Sequence, residues 1–133
     1  MNILLVDDSR TVRRVLKSTI LQYFEGKKYG KPSLYDAGDG VEALECIKAQ
    51  EIDIIFLDYN MPNMNGEELV DAIRSEKKWN RTRIIMVTTE GSKESVMRLM
   101  KKGVNQYIVK PFVKESINKK LDMTIHRMIT CVS

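Results

Sequence analysis

The stretch Ile54-Ile55-Phe56-Leu57-Asp58-Tyr59-Asn60-Met61-Pro62 runs through four apolar residues, stops on an acid and turns at a proline. No polar residue alternates with the apolar ones, which is the pattern of a strand covered on both faces, as in a parallel sheet. Three more runs share the design. Ile3-Leu4-Leu5-Val6 stops on Asp7-Asp8, Ile84-Ile85-Met86-Val87 on Thr88, and Tyr107-Ile108-Val109 on Lys110. Longer segments with apolar residues three to four apart separate them, so the chain reads as an α/β protein of five βα units around a parallel sheet. Open sheets of this kind place ligands at the carboxyl ends of their strands. Three carboxylates, a hydroxyl and an ammonium meeting there suit a divalent cation and a phosphoryl group.

The helical segments follow from their punctuation. The first starts at the Ser9 region, carries Val12, Val15, Leu16, Thr19, Ile20 and Tyr23 as its apolar face, and ends near Gly26. A Gly- and Lys-rich loop, Glu25 to Lys31, leads through Pro32 to the weakest strand, Ser33 to Ala37, expected at a sheet edge. Asp39 is placed to cap a second helix with a stripe of Val41, Leu44 and Ile47. A third follows Asn65-Gly66 and buries Leu69, Val70 and Ile73. A fourth runs from Ser92 through Val96, Leu99 and Met100 to a stop at Gly103. The last begins after Pro111 with Val113, Ile117, Leu121, Ile125 and Met128, and the tail beyond Arg127 is expected to fray. Most of the eight methionines fall on these stripes and read as core fillers.

A chain of 133 residues accommodates one domain, residues 1–133, with a single sizeable core. Charged residues at 30% and hydrophobic residues at 43% exclude a disordered or membrane class. The net charge of +4 is carried by scattered pairs such as Arg13-Arg14, Lys27-Lys28 and Lys101-Lys102, which read as solvated faces and not as a nucleic-acid stripe. No signal peptide and no bilayer-spanning run is legible. Two cysteines, Cys46 in a helical pattern and Cys131 in the tail, make no disulfide framework, so a reducing, cytoplasmic location is expected.

Four strings close the apolar runs in order: Val6-Asp7-Asp8, Leu57-Asp58-Tyr59-Asn60-Met61-Pro62, Val87-Thr88-Thr89-Glu90 and Val109-Lys110-Pro111-Phe112. Together they make the chain similar to the receiver domains of two-component signalling, most closely the stand-alone chemotaxis members. That resemblance covers nearly the whole chain and implies a flavodoxin-like (βα)5 doubly wound sheet of strand order 2-1-3-4-5, without an output domain. It implies Mg²⁺ held by Asp7, Asp8, Asp58 and the backbone carbonyl of Asn60. It also implies that Asp58 takes a phosphoryl group from a phosphohistidine on a histidine kinase, assisted by Thr88 and Lys110. Such a protein is a phosphoacceptor with self-catalysed phosphorylation and dephosphorylation, not an enzyme acting on a separate substrate. Thr88 and Tyr107 match the family's switch positions, and the Lys110–Pro111 bond matches one expected to be cis. A downstream protein such as a flagellar motor switch is the implied target. The surface of the fourth helix, fifth strand and fifth helix, with Lys93, Lys101, Lys102, Tyr107 and Lys114, is the expected partner face.

Plainer readings stand beside these. Asp7 and Asp8 alone would serve as helix caps, Thr88 and Thr89 as ordinary strand and turn residues, and His126 as a solvated residue near a helix end. The Gly26 to Pro32 connection reads as a tolerated surface insertion in a monomer, with exchange of the first strand and helix in a dimer as the alternative. A phosphorelay intermediate or adaptor would show the same site. A haloacid-dehalogenase-like phosphatase is disfavoured because Asp7-Asp8-Ser9 lacks its Asp-x-Asp pattern. A flavin carrier is disfavoured by the acidic first loop. Direct DNA binding is disfavoured because all five units are used by the sheet fold.

Overall fold

The computed structural model describes residues 1–130. Its strands are β1 (Asn2–Val6), β2 (Ser33–Ala37), β3 (Ile54–Asp58), β4 (Arg83–Thr88) and β5 (Gln106–Val109), and its α-helices are α1 (Arg10–Phe24), α2 (Gly40–Ala49), α3 (Gly66–Arg74), α4 (Lys93–Lys102) and α5 (Lys114–Thr130). The strands pair in parallel in the order β2-β1-β3-β4-β5, which is the flavodoxin-like arrangement.

Side chains of a strand alternate between faces, and here each face is covered by helices. Leu4, Val6, Ile55, Leu57, Ile84 and Met86 pack with α2, α3 and α4 residues such as Ala43, Ile47, Leu69, Ile73 and Leu99. Ile3, Leu5, Ile54, Phe56, Ile85 and Val87 pack with Leu16, Ile20, Ile117, Leu121 and Ile125 of α1 and α5. Complete burial of a side chain of this size stabilises by roughly 1.5–3 kcal/mol. These two layers therefore hold the central strand rigid beneath its polar end.

Local chemistry sets the helix starts. The Ser9 hydroxyl accepts from the Val12 amide, Asp39 from Glu42, and Ser92 from Ser95, while Asn65 and Glu68 form a reciprocal capping box. Gly103 ends α4 at φ +112°, a left-handed conformation that a side chain disfavours. Lys110–Pro111 is cis, as expected.

Several expected core positions face solvent. Val15, Val41, Met97, Met100, Val113 and Met123 are exposed, and Met86 alone of the methionines is fully buried among the described residues. Helix geometry explains α2. Steps of three and three from Val41 to Ile47 drift about 120° around the axis, whereas Gly40, Ala43 and Ile47, spaced three and four, return to one face. Val113 precedes α5 and so never joins its stripe. The expected fraying after Arg127 is corrected as far as Thr130, since α5 continues to that residue, where the Thr130 hydroxyl bonds the His126 carbonyl, and the rest of the expected tail lies outside the described residues. Cys131 lies outside the described residues. A short 3₁₀ turn at Lys77–Trp79, which no sequence signal announces, leads into β4.

Candidate functional site

Strand register places the site residues. Val6 pairs with Leu57, so Asp7 lies level with Asp58 on the next strand. Asp58 pairs with Val87, so Thr88 stands one residue further along β4. Thr88 pairs with Val109, and the Lys110 amide donates to the Thr88 carbonyl at 2.7 Å. Four residues separated by up to 103 positions in sequence thereby share one edge of the sheet.

Asp7 and Asp58 are buried, at 2% and 6% exposure, while Asp8 is exposed. Their carboxylate oxygens lie within 4.8 Å of one another. Lys110 Nζ spans the two buried acids, 2.9 Å from Asp7 Oδ2 and 3.2 Å from Asp58 Oδ1. Burial, followed by the neighbouring charge of Asp7, pushes the Asp58 carboxyl above its ordinary range despite the opposing pull of Lys110. Burial alone would lower Lys110, but its hydrogen bond to Asp7 and the charge of Asp58 win, so the ammonium is held above its ordinary range.

The loops around the acids are tied down. The Ser9 amide donates to Asp7 Oδ1 at 2.8 Å, and the Arg13 guanidinium donates to the Asp7 carbonyl. Gly66 opens α3 directly against β3. A side-chain carbon there would lie 2.6 Å from the Asp58 carbonyl oxygen and 2.8 Å from Tyr59 Cα, so only glycine permits this approach. Its amide bonds the Tyr59 carbonyl at 2.8 Å, closing the loop that carries Asn60, which is itself exposed.

Thr88 is completely buried at the end of β4, and its hydroxyl accepts the Glu90 amide at 3.1 Å, whereas Thr89 is exposed. The Tyr107 hydroxyl donates to the Glu90 carbonyl, so the two switch candidates meet the same short loop. His126 is exposed on α5, and Cys46 is half-buried beside the α2 core with its thiol pushed up by burial. Arg13 escaped the sequence reading because nothing in a helical Arg13-Arg14 pair distinguishes the arginine that turns back to the first strand.

Three carboxylates against one ammonium leave a site of net charge about −2, built only of oxygen donors and open at Asp8. That donor set fits a hard, small divalent cation. A model of the response regulator receiver domain matches residues 3–122. The chain belongs to this family. Its receiver domain is 44% identical over 123 residues to a chemotaxis protein CheY homolog of Campylobacter jejuni, an overlap that covers 92% of this chain and 90% of the relative. It is 40% identical over 126 residues to chemotaxis protein CheY1 of Helicobacter pylori, covering 94% and 97% of the two chains. Among solved structures, the chemotaxis response regulator CheY4 of Vibrio cholerae superposes with a TM-score of 0.80 at 33% identity, covering 92% of this receiver chain and 97% of CheY4. Among the described residues no helix is long and apolar enough to cross a membrane.

Proposed function

We propose that this receiver is a Mg²⁺-dependent phosphoaspartate switch of the chemotaxis type, charged by a histidine kinase and read by a downstream protein such as a flagellar motor switch. The observation that carries the reading is the pairing of Asp58 with a bridging Lys110 inside a three-carboxylate cluster. A structural role alone does not account for three acids crowded within 4.8 Å at the end of a buried sheet, because each like-charged pair costs several kcal/mol.

Asp58 acts as the nucleophile and needs no general base, since the reactive form is the carboxylate. One of its oxygens forms a bond to phosphorus as the P–N bond to the donor histidine breaks, and the departing imidazole nitrogen keeps the electron pair and takes a proton. Lys110, already 3.2 Å from Asp58, balances charge gathering on the transferred oxygens. Asp7, Asp8 and Asp58 would hold Mg²⁺, with the Asn60 carbonyl of the same loop as the family's further ligand; the bound ion supplies charge neutralisation at the phosphoryl oxygens. Water attack on phosphorus then breaks the new P–O bond, releases inorganic phosphate and restores the Asp58 carboxylate.

Output passes through the Glu90 loop. A phosphoryl oxygen on Asp58 offers the Thr88 hydroxyl a new acceptor, and Tyr107 adjusts behind it because both contact Glu90. The partner face then lies along α4, β5 and α5. The chemotaxis assignment follows the names of the 44% and 40% identical relatives.

Incubation with Mg²⁺ and acetyl phosphate tests the core of this reading. Wild type is expected to gain one hydroxylamine-labile phosphoryl group and Asp58→Asn none; equal labelling of both would reject Asp58 as the acceptor. Affinity for the downstream partner should rise on phosphorylation and lose that rise in Tyr107→Ala.

A further inference from the structure

Glu67 sits in the first turn of α3, yet its carboxylate faces three donors from two other segments. Tyr59, the residue after Asp58, donates its hydroxyl to Oε1 at 3.1 Å. From α4, Arg98 Nη2 reaches the same oxygen at 3.2 Å, and Lys102 Nζ reaches Oε2 at 3.2 Å. Lys102 also holds Asp71, one turn along α3, at 3.0 Å. The cluster is not a loose surface pair, because the Glu67 side chain is only 20% exposed. Partial burial would raise its carboxyl, but the bonds from Arg98, Lys102 and Tyr59 prevail and hold it below the usual range.

The rest of α4 is weakly held. Leu99 is its one fully buried residue, and Met97 and Met100 are exposed. A helix with so small an apolar anchor depends more than its neighbours on polar ties for its placement. Of those ties, among the described residues, the Glu67 cluster alone leads back to a residue covalently joined to Asp58. Arg98 also acts on the second switch candidate, since its positive charge opposes the burial and the Glu90 charge that hold the Tyr107 phenol above its ordinary range.

We propose that Tyr59, Glu67 and Arg98 form a positioning relay that fixes α4 relative to the Asp58 loop, so that phosphorylation is transmitted to α4 through Glu67 as well as through the Glu90 loop. This rests on the reading of Asp58 as phosphoacceptor and adds a second route to the same helix. The physical basis is the shared acceptor. A shift of Tyr59 that weakens its bond to Oε1 leaves Arg98 to take up that oxygen, and α4 moves with Arg98 because the guanidinium fork has little freedom once paired. Coupling of this kind is a difference between two states, and it is measured by removing one contact without removing the fold.

The experiment uses Tyr59→Phe, which deletes only the hydroxyl, and Glu67→Gln, which deletes the charge but keeps the shape. Lys17→Gln serves as control, since it breaks an exposed pair with Asp36 at 3.0 Å on the opposite side of the sheet. Each protein is held in Mg²⁺ and excess acetyl phosphate. The phosphorylated fraction is read by intact mass, and amide exchange is followed across residues 93–102. Wild type and Lys17→Gln should show a clear change in α4 exchange on phosphorylation. Tyr59→Phe and Glu67→Gln should show that change reduced at least threefold at a matched phosphorylated fraction. A full α4 response in both variants, even with lowered melting temperatures, would make the cluster a mere staple and overturn the relay. Labelled wild type with no α4 response would overturn it as well, whereas unlabelled wild type would overturn the reading of Asp58 and the relay together.

Discussion

Replacing Asp58 by asparagine is expected to stabilise the metal-free protein, although it removes the proposed phosphoacceptor. The Asp58 carboxylate lies within 4.8 Å of those of Asp7 and Asp8 and 3.2 Å from the Lys110 ammonium. At an effective dielectric of about 20, each repulsion amounts to roughly 3.5 kcal/mol and the single attraction to roughly 5 kcal/mol. Water screens the repulsion from exposed Asp8, so the charges nearly cancel and burial, the largest influence on Asp58, leaves about 2 kcal/mol against the ionised form. For a chain of this length about 2 kcal/mol corresponds to a rise of roughly 7 °C in melting temperature. Thermal unfolding in EDTA at pH 7 measures it.

The sign with pH follows from the raised carboxyl of Asp58. A group whose folded pKa lies above its unfolded value stabilises fully below the unfolded value, near about 3.9 for aspartate, and that contribution is lost as pH climbs through the folded value. The advantage of Asp58→Asn should therefore vanish near pH 4, where wild type is neutral at this position, and grow upward through that window. Added Mg²⁺ should narrow the gap, because wild type binds it with one more carboxylate. A variant that melts at or below wild type in EDTA at pH 7 would refute the reasoning.

Lys110→Met should strengthen Mg²⁺ binding by about tenfold in calorimetric titration, since the ammonium competes for Asp7 and Asp58, while slowing phosphorylation by acetyl phosphate about a hundredfold. Unchanged metal affinity would show that Lys110 does not compete. Gly66→Ala should destabilise by about 2 kcal/mol in urea titration, because its new carbon meets the Asp58 carbonyl and Tyr59 backbone; a neutral result would mean that α3 can withdraw freely. Arg74 donates to the carbonyls of Gly103, Trp79 and Thr82 and to Asn105 Oδ1, joining α3 to the turns before β4 and β5. Arg74→Met should lose about 3 kcal/mol as those acceptors go unpaired, and a loss below about 1 kcal/mol would show that water replaces it.

The fold was legible where the signal is local. Uninterrupted apolar runs located β1, β3 and β4 in the middle of the sheet, a weak run behind Pro32 located β2 at an edge, and Ser9, Asp39, Asn65 and Ser92 stood where helices begin. Legibility failed where a helix face had to be chosen. Val15, Val41 and Met100 have the right spacing to one apolar neighbour, but the buried side of each helix is decided by which strands and helices it meets.

By itself the sequence determined the five βα units and the polar residue at the tip of each key strand, because backbone periodicity and capping act over a few residues. Tertiary structure alone decided that Lys110 spans Asp7 and Asp58, that Thr88 is buried and Thr89 exposed, and that Glu67 joins Tyr59 to Arg98. Those contacts link residues that are 31 to 103 positions apart in all but the Tyr59 pair, and they exist only once strand register and helix packing have set each side chain's direction. Attraction and repulsion between charges depend on distances of a few ångströms, and such distances are products of packing rather than of spacing along the chain.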